Sequence, residues 1–442
     1  MKLKKINIKR QNADKVKLPI VSIIAVLFLL YSCNTERVET LDESIARIRK
    51  GDLVIQASPD ANITVEQLSH EFWFGAEVPN SVGGSMSAEN MKKYTEMFVQ
   101  NFNAAVTGNA LKWYSMEPQK DQLNYQIVDS ILSWADSNNL PLRGHNLFWG
   151  IFQSPNTGSQ YIQQWLTEIS DDELRQRIQE RSETVARRYK GRFVEYDLNN
   201  EMIHGNYYED RLGPEITMQM AQWTLDGDPE AKLWLNDYDV LIEDSPLGIG
   251  LPEYMAHIRK LLAEGVPIAG IGAQGHSHLE TFDRDYLKLA LDSLATFNLP
   301  IRITEFNLPG MRSKYGIRAF HQGNPMSPEE EQQRAIETVD FYKICFAHPA
   351  VEGILMWGFW EGSNWIPASS LYKRDWTITP TGEAYRNLVF NEWWTKETGT
   401  ANRRGEFETR AFYGKYKVTV DGVSKEINLS KANGKTVVDF RQ

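Results

Sequence analysis

Two glutamates lie where apolar segments of the chain end, and their side chains could carry out acid, base or nucleophilic chemistry. Glu201 follows the strand candidate Phe193–Asn199, and Glu305 ends the strand candidate Ile301–Glu305. If both side chains face one opening, one carboxyl can protonate a leaving oxygen while the other attacks the anomeric carbon of a sugar. That pairing is the retaining route of glycoside hydrolysis. Taken singly, either glutamate could instead be a structural ion-pair member.

The elements around these glutamates predict a fold that brings them together. Short apolar runs alternate with helical patterns such as Glu173–Lys190 and Pro328–Ala347, the second preceded by Ser327 as an N-cap. Such alternation indicates a parallel sheet, and eight repeats indicate a closed (β/α)8 TIM barrel of the α/β class, with chemistry at the carboxyl ends of its strands. The eight strand candidates are Glu71–Val78, Asn103–Thr107, Leu142–Trp149, Phe193–Asn199, Lys232–Asn236, Ile268–Gln274, Ile301–Glu305 and Gly353–Trp360.

The segments on either side of the barrel do not fit its pattern. Val418 and its neighbours alternate between apolar and polar residues, and Asp421-Gly422 is typical of a hairpin turn. We expect the N- and C-terminal strands to pack together as one small accessory β-unit, because neither piece is large enough to be stable alone. The predicted regions are a lipoprotein-type signal peptide (1–33), N-terminal β-strands (41–69), the catalytic barrel (70–396) and a C-terminal β-meander (404–442).

The N-terminus has the pattern of an export signal. A basic stretch precedes the apolar run Leu18–Tyr31, which is short for a membrane span, and Leu30–Cys33 resembles a lipoprotein box. We therefore expect lipidation of Cys33 and attachment to the bacterial cell envelope, on a face that the sequence does not specify. Plain cleavage nearby, or an uncleaved anchor, stays open. Cys345 is the other cysteine, so no disulfide framework is expected.

The charge of the chain disfavours nucleic acid as a partner. The net charge is −10, and the first 33 residues carry seven Lys or Arg against one Asp, which leaves about −16 for the remainder. Phosphate backbones are bound by Lys and Arg clusters, whereas an acidic surface suits a neutral substrate. The 13 tryptophans could stack on sugar faces or fill the core.

The motifs of the barrel resemble glycoside hydrolase family 10, the family of endo-β-1,4-xylanases, from about Glu71 to Trp394. Each matching segment is a weak signal alone, but their order along the barrel is specific. The segments are Phe102-Asn103 through Asn109, Lys112-Trp113, Glu117-Pro118, Arg143-Gly144-His145, Phe148-Trp149, Asn200-Glu201, Asn236-Asp237-Tyr238, Gly272-Ala273-Gln274-Gly275-His276, Thr304-Glu305, and Trp357-Gly358 with Trp365.

This resemblance implies a role for each matched side chain. Glu201 would be the acid/base and Glu305 the nucleophile, while Asn200 would bind the 2-hydroxyl of the reacting sugar. His276 would orient Glu305, with Gln274 beside it. The residues implied to contact the sugars are Asn109, Lys112 and His145 on the non-reducing side, and Trp149, Trp357 and Trp365 as walls. Trp360 matches no motif, so groove wall and packing both stay open for it.

Four positions depart from the family pattern. Gly108 stands where the family has a glutamate that binds sugar hydroxyls one subsite beyond the reacting one, and Ala110 where part of the family has a second glutamate. Gly150 replaces a histidine. Asn307 replaces an aspartate that would support the charge of His276, so a changed pH optimum is expected. These departures concern specificity and efficiency, because the catalytic pair is intact.

The sequence therefore predicts an endo-1,4-β-xylanase that acts by retaining double displacement on xylan or a related plant cell-wall polysaccharide. The first alternative is a retaining β-glycosidase acting on another β-1,4-glycan or on short oligosaccharides, which the Gly108 departure keeps open. The second is a lipid-anchored glycan-binding protein without turnover. No cofactor is expected, and no third ligand is evident for the His276–His278 pair, so no metal is expected. We expect a monomer that reaches the membrane only through its anchor.

Overall fold

The computed structural model describes residues 39–152, 160–316 and 326–441. The predicted signal peptide 1–33, with the lipidation candidate Cys33, lies outside these residues. Within the described part of the chain, no helix is both long and apolar enough to cross a bilayer.

Eight parallel strands close into a barrel, as predicted. They follow one another around it in chain order, and the strand Val351–Met356 pairs with the strand Trp73–Val78 to close the ring. The strands are β1 (Lys50–Gln56), β2 (Asn62–His70), β3 (Trp73–Val78), β4 (Ala104–Thr107), β5 (Leu142–Gly144), β6 (Phe148–Trp149), β7 (Glu195–Asp197), β8 (Asn199–Asn200), β9 (Leu233–Asp237), β10 (Ile268–Ala273), β11 (Ile301–Phe306), β12 (Val351–Met356), β13 (Lys396–Thr400), β14 (Glu406–Phe412), β15 (Gly414–Val420), β16 (Val423–Leu429) and β17 (Lys435–Asp439).

Helices connect the strands and cover the outside of the barrel. The predicted helix Pro328–Ala347 is confirmed. A local capping box stabilises its first turn: Ser327 Oγ accepts the Glu330 N–H at 3.3 Å, and Glu330 Oε2 accepts the Ser327 N–H at 2.9 Å. The α-helices are Leu41–Arg49, Ala88–Asn101, Trp113–Met116, Gln126–Ser137, Gln164–Glu168, Asp171–Arg188, Tyr207–Leu212, Ile216–Gly227, Leu251–Ala263, Arg284–Ala295, Pro328–Ala347 and Pro380–Asn387.

The flanking strands form two small sheets that share one apolar core. Strand β1 lies between β14 and β17, and β2 lies between β13 and β15. Leu53 and Val65 from the N-terminal strands and Val418 from the C-terminal strands are buried in this core. The expected packing of the two chain ends against each other is therefore present.

Two details of the flanks differ from the prediction. Residues 41–49 form a helix, with Asp42 in its first turn and Arg49 in its last turn, an arrangement that suits the helix dipole. The buried Arg49 guanidinium also donates to the carbonyl oxygens of Phe346 and Val351, each at 2.7 Å. The C-terminal strands do not form one continuous meander, because β1 and β2 insert between them and divide them between two sheets.

Candidate active site

The carboxyl ends of the barrel strands surround a cleft with a volume of about 330 Å³. It contains ten of the eleven residues predicted to contact substrate, the exception being the fully buried Asn200. The cleft is lined by Asn109, Lys112, Tyr114, His145, Trp149, Ile151, Tyr161, Glu201, Tyr238, Asp239, Gln274, His276, His278, Glu305, Met311, Trp357 and Trp365.

Glu201 is held at the mouth of the barrel by two donors. Its Oε1 accepts a hydrogen bond from Gln274 Nε2 at 2.7 Å, and its Oε2 accepts one from Trp149 Nε1 at 2.8 Å. The residue has a φ of 61°, a left-handed conformation that is costly for a non-glycine residue and that here aims the side chain into the cleft. Burial, reinforced by the charge of Glu305, raises the pKa of Glu201 to about 7. Such a carboxyl can deliver a proton near neutral pH.

Glu305 lies in β11, where its surroundings lower its pKa instead of raising it. Its Oε1 accepts a hydrogen bond from Asn236 Nδ2 at 2.8 Å, and its Oε2 lies 3.1 Å from His276 Nε2. Burial alone would raise the pKa of Glu305, but His145, His276 and Lys112 outweigh it and lower the pKa to about 2. Glu305 is therefore an ionised carboxylate over the working range of pH, the form that a nucleophile needs.

Gln274 contacts both glutamates and links the two sides of the site. It donates from its side chain to Glu201, and its backbone carbonyl accepts the N–H of Glu305 at 2.6 Å. The positions of the two glutamates are thus fixed relative to each other through the adjacent strands β10 and β11.

Asn236 also orients the site, although the sequence motif that contains it suggested no role for it. Its Nδ2 donates to Glu305 and, at 2.9 Å, to Asn200 Oδ1. The Thr304 hydroxyl donates to Asn236 Oδ1 at 2.5 Å, which turns the amide so that its NH2 group faces the two acceptors. An asparagine at the end of a barrel strand was the signal available in the sequence.

Asn200 retains one free donor. Its Oδ1 is occupied by Asn236, while its Nδ2 is buried and has no hydrogen-bond partner among the described residues. Because a buried donor without a partner is costly, a ligand oxygen is a physically reasonable acceptor for it. Its predicted contact with the 2-hydroxyl of a sugar stays a prediction.

A buried network of charged side chains fixes the position of His145. Its Nδ1 lies 2.8 Å from Asp197 Oδ2 and 3.8 Å from Glu305 Oε1. Arg143 bridges Asp197 and Glu195, and all of these side chains are buried. Neither acid was singled out from the sequence, because their importance depends on contacts between neighbouring strands.

Aromatic rings form one wall of the cleft. Trp149 stacks on Tyr161 with ring centroids 4.0 Å apart, and Tyr161 stacks on Tyr114 at 5.8 Å. Lys112 Nζ lies 4.3 Å from the Trp149 ring, a cation–π contact. Tyr114 and Tyr161 were not predicted.

Trp360 stacks on Trp376 outside the cleft, which identifies it as a packing residue.

Asn307 performs the positioning contact expected of an aspartate at its place. Its Oδ1 lies 2.9 Å from His276 Nδ1 and accepts a hydrogen bond from Trp365 Nε1 at 3.1 Å. Its Nδ2 donates to Ser369 Oγ at 2.9 Å, which fixes the amide orientation. Both ring nitrogens of His276 therefore face side-chain oxygens, which holds the ring between Glu305 and Asn307.

The remaining histidine of the His-x-His pair has its own partner. His278 Nε2 lies 2.7 Å from Asp239 Oδ1, away from His276. Over residues 39–152, 160–316 and 326–441, no group of three His, Cys, Asp or Glu side chains is arranged to hold a metal ion.

At Gly150, a Cβ atom would come 2.9 Å from Gly205 O, so the adjacent backbone leaves no room for a larger residue.

Comparison with known proteins identifies relatives of this chain. A family model for glycosyl hydrolase family 10 matches residues 67–392. Endo-1,4-beta-xylanase 1 of Arabidopsis thaliana is 33% identical over 87% of this chain and 38% of that protein. The anti-sigma-I factor RsgI6 of Acetivibrio thermocellus is 30% identical over 93% of this chain and 50% of that protein. The chain thus spans half or less of the length of these two relatives.

Solved structures share the fold of the barrel. Native xylanase 10B of Thermotoga maritima matches with a TM-score of 0.61 at 23% identity, over 73% of this chain and 96% of that one. Xylanase 10B of Thermotoga petrophila, solved with xylobiose, matches with the same TM-score and identity over 73% and 95% of the two chains. At this identity the likeness supports the fold.

Proposed function

Because the chain belongs to glycosyl hydrolase family 10, we propose that it is an endo-1,4-β-xylanase that cleaves internal β-1,4-xylosidic bonds of xylan with retention of configuration. The observation that carries the proposal is the pair of buried carboxyls at the barrel mouth. The pKa of Glu201 is raised to about 7, whereas that of Glu305 is lowered to about 2. Two carboxyls with divergent pKa values are suited to act as acid and nucleophile.

The reaction follows from these protonation states. Glu201 donates its proton to the glycosidic oxygen while the Glu305 carboxylate attacks the anomeric carbon, which breaks the glycosidic bond and forms a glycosyl ester. Glu201, now ionised, takes a proton from water as that water attacks the same carbon. The second step releases the sugar with its original configuration and restores both carboxyls.

The surrounding side chains are placed to hold the sugars. Lys112 and Asn109 offer polar groups to the cleft, and Trp149, Trp357 and Trp365 provide flat apolar surfaces. Because these residues line one continuous cleft about the catalytic pair, a chain of several sugars is a better fit than a single sugar.

The test is release of reducing sugar from glucuronoxylan and arabinoxylan, with cellulose as the comparison polymer. We expect release from the xylans by the wild-type protein and none by Glu305→Ala. Release from cellulose instead would favour a glycosidase specific for another β-1,4-glycan. Binding of xylan without hydrolysis would favour a glycan-binding protein.

We also propose that the protein is exported and anchored through a lipid on Cys33, and that it acts as a monomer. The support is the basic N-terminus, the apolar run Leu18–Tyr31 and the lipoprotein-like box that ends at Cys33. Metabolic labelling with a fatty acid should mark the wild type and not Cys33→Ser. Labelling of both would reject the anchor, and a dimer in light scattering of the mature chain would reject the monomer.

A further inference from the structure

Glu77 is a buried acidic side chain to which the catalytic scheme assigns no role. It is the penultimate residue of β3, at the end of the barrel that holds the cleft, and it is 9% exposed. Tyr94 donates a hydrogen bond to its backbone carbonyl. Within the described part of the chain, however, its carboxyl group has neither a hydrogen bond nor an ion pair. Neither carboxyl oxygen is among the fully buried side-chain atoms that lack a hydrogen-bond partner, so the group keeps access to solvent and is free to meet a ligand.

The location of this carboxyl is fixed by its contact with Gly108, the residue after β4. A Cβ atom built on Gly108 would lie 1.9 Å from Glu77 Oε1 and 2.9 Å from its Cδ. The Glu77 carboxyl therefore occupies the space into which any side chain at position 108 would project. Asn109 and Lys112, which follow Gly108, line the cleft.

Position 108 is relevant to the binding of sugars. The family resemblance implies a glutamate at this position, whose role would be to bind sugar hydroxyls. Here the acid is absent from the end of β4 and present at the end of β3, in the neighbouring strand, where Glu77 is paired with Val106. The structure thus places a carboxyl group from one strand where the side chain of the next strand would begin.

The electrostatic surroundings suit a polar ligand better than an internal partner. Burial raises the pKa of Glu77 to about 8, while the nearby charge of Lys112 lowers it and that of Glu305 raises it further. Lys112 forms no ion pair with Glu77 and instead lies against the Trp149 ring. A carboxyl in this state can accept from, or donate to, the hydroxyl groups of a sugar.

We propose that Glu77 is a substrate-binding residue, which hydrogen-bonds a sugar on the non-reducing side of the cleft beside Asn109 and Lys112 and takes the place of an acid at position 108. The proposal rests on the proposed xylan-hydrolysing function and names one of the residues that determine how the second sugar is held.

The test is to move the acidic side chain from position 77 to position 108. The values of kcat and KM are measured on an aryl β-xyloside and an aryl β-xylobioside. Glu77→Ala should lower kcat/KM on the xylobioside by about 10-fold to 100-fold, as expected when a hydrogen bond to the bound sugar is lost and its partner is left unsatisfied. Its effect on the xyloside should be much smaller. Gly108→Glu alone should impair activity because the two side chains collide. The double variant Glu77→Ala/Gly108→Glu should recover most of the lost xylobioside activity.

Other results would overturn the inference without touching the proposed function. An active Glu77→Ala enzyme with an unchanged kcat/KM on the xylobioside would show that Glu77 does not bind substrate. A large fall in its melting temperature, with equal losses on both substrates and no recovery in the double variant, would show a structural role. If the wild type hydrolyses neither substrate, the proposed function fails, and calorimetric titration of xylohexaose then tests Glu77: weaker binding by Glu77→Ala supports the inference, and equal binding rejects it.

Discussion

Replacing Gln274 by Met should extend the activity of the enzyme to higher pH. Gln274 Nε2 donates a 2.7 Å hydrogen bond to Glu201 Oε1, and this bond lowers the pKa of Glu201 against the effects of burial and of Glu305. A hydrogen bond to a charged group contributes about 1.5–3 kcal/mol, and one pKa unit corresponds to about 1.4 kcal/mol. Without the donor, the pKa of Glu201 should rise from about 7 by about 1–2 units.

The consequence is visible in the pH dependence of kcat/KM. The first step needs protonated Glu201, so activity falls as the pH rises through its pKa, and a higher pKa moves this descending limb upward. Trp149→Phe, which removes the other donor to Glu201, should move it in the same direction. Tyr161→Phe is the matched control, because its hydroxyl group lies in the same cleft and bonds neither carboxyl. A descending limb that stays in place or moves to lower pH in Gln274→Met would show that Gln274 does not control the pKa of Glu201.

Three further predictions concern the supports of the site. Asn236→Ala removes the donor to Glu305 Oε1 and should lower kcat/KM by about 10-fold to 100-fold and move the ascending limb to higher pH; unchanged kinetics would contradict this. Asn307→Asp places a negative charge 2.9 Å from His276 Nδ1 and should shift the pH optimum, so identical pH–rate profiles would reject the effect. Arg143→Met leaves two buried acids unpaired and should cost about 3–5 kcal/mol in urea unfolding, whereas a loss below about 1 kcal/mol would contradict the role of the network.

The parts of the fold that could be predicted are those that local sequence determines. The helix Pro328–Ala347 begins where Ser327 and Pro328 indicate, because its cap forms between residues three positions apart. The barrel could be inferred because apolar strands and helices alternate regularly. The helix Leu41–Arg49 was missed, although its acidic start and basic end were present, because the segment was included with the strands that follow it.

The candidate site could be predicted as a set of residues but not as a network. Ten of its eleven predicted members line one cleft, since polar residues at the ends of parallel strands meet at the same opening. The role of Asn236 depends on the orientation imposed by Thr304, which is 68 residues away in the chain. The sequence also did not show that the Glu77 carboxyl occupies the space beside Gly108, because this contact depends on the packing of two adjacent strands.

In the proposed mechanism, Glu305 forms a covalent bond with the sugar while Glu201 supplies and recovers the proton. This mechanism is tested most directly by treating the enzyme with a 2-deoxy-2-fluoro-β-xylobioside carrying an activated leaving group and mapping the adduct by peptide mass spectrometry. We expect one glycosyl adduct, on Glu305, and none in Glu305→Ala. An adduct on another residue of the wild type, or hydrolysis of xylobiosides with inversion of configuration, would contradict it.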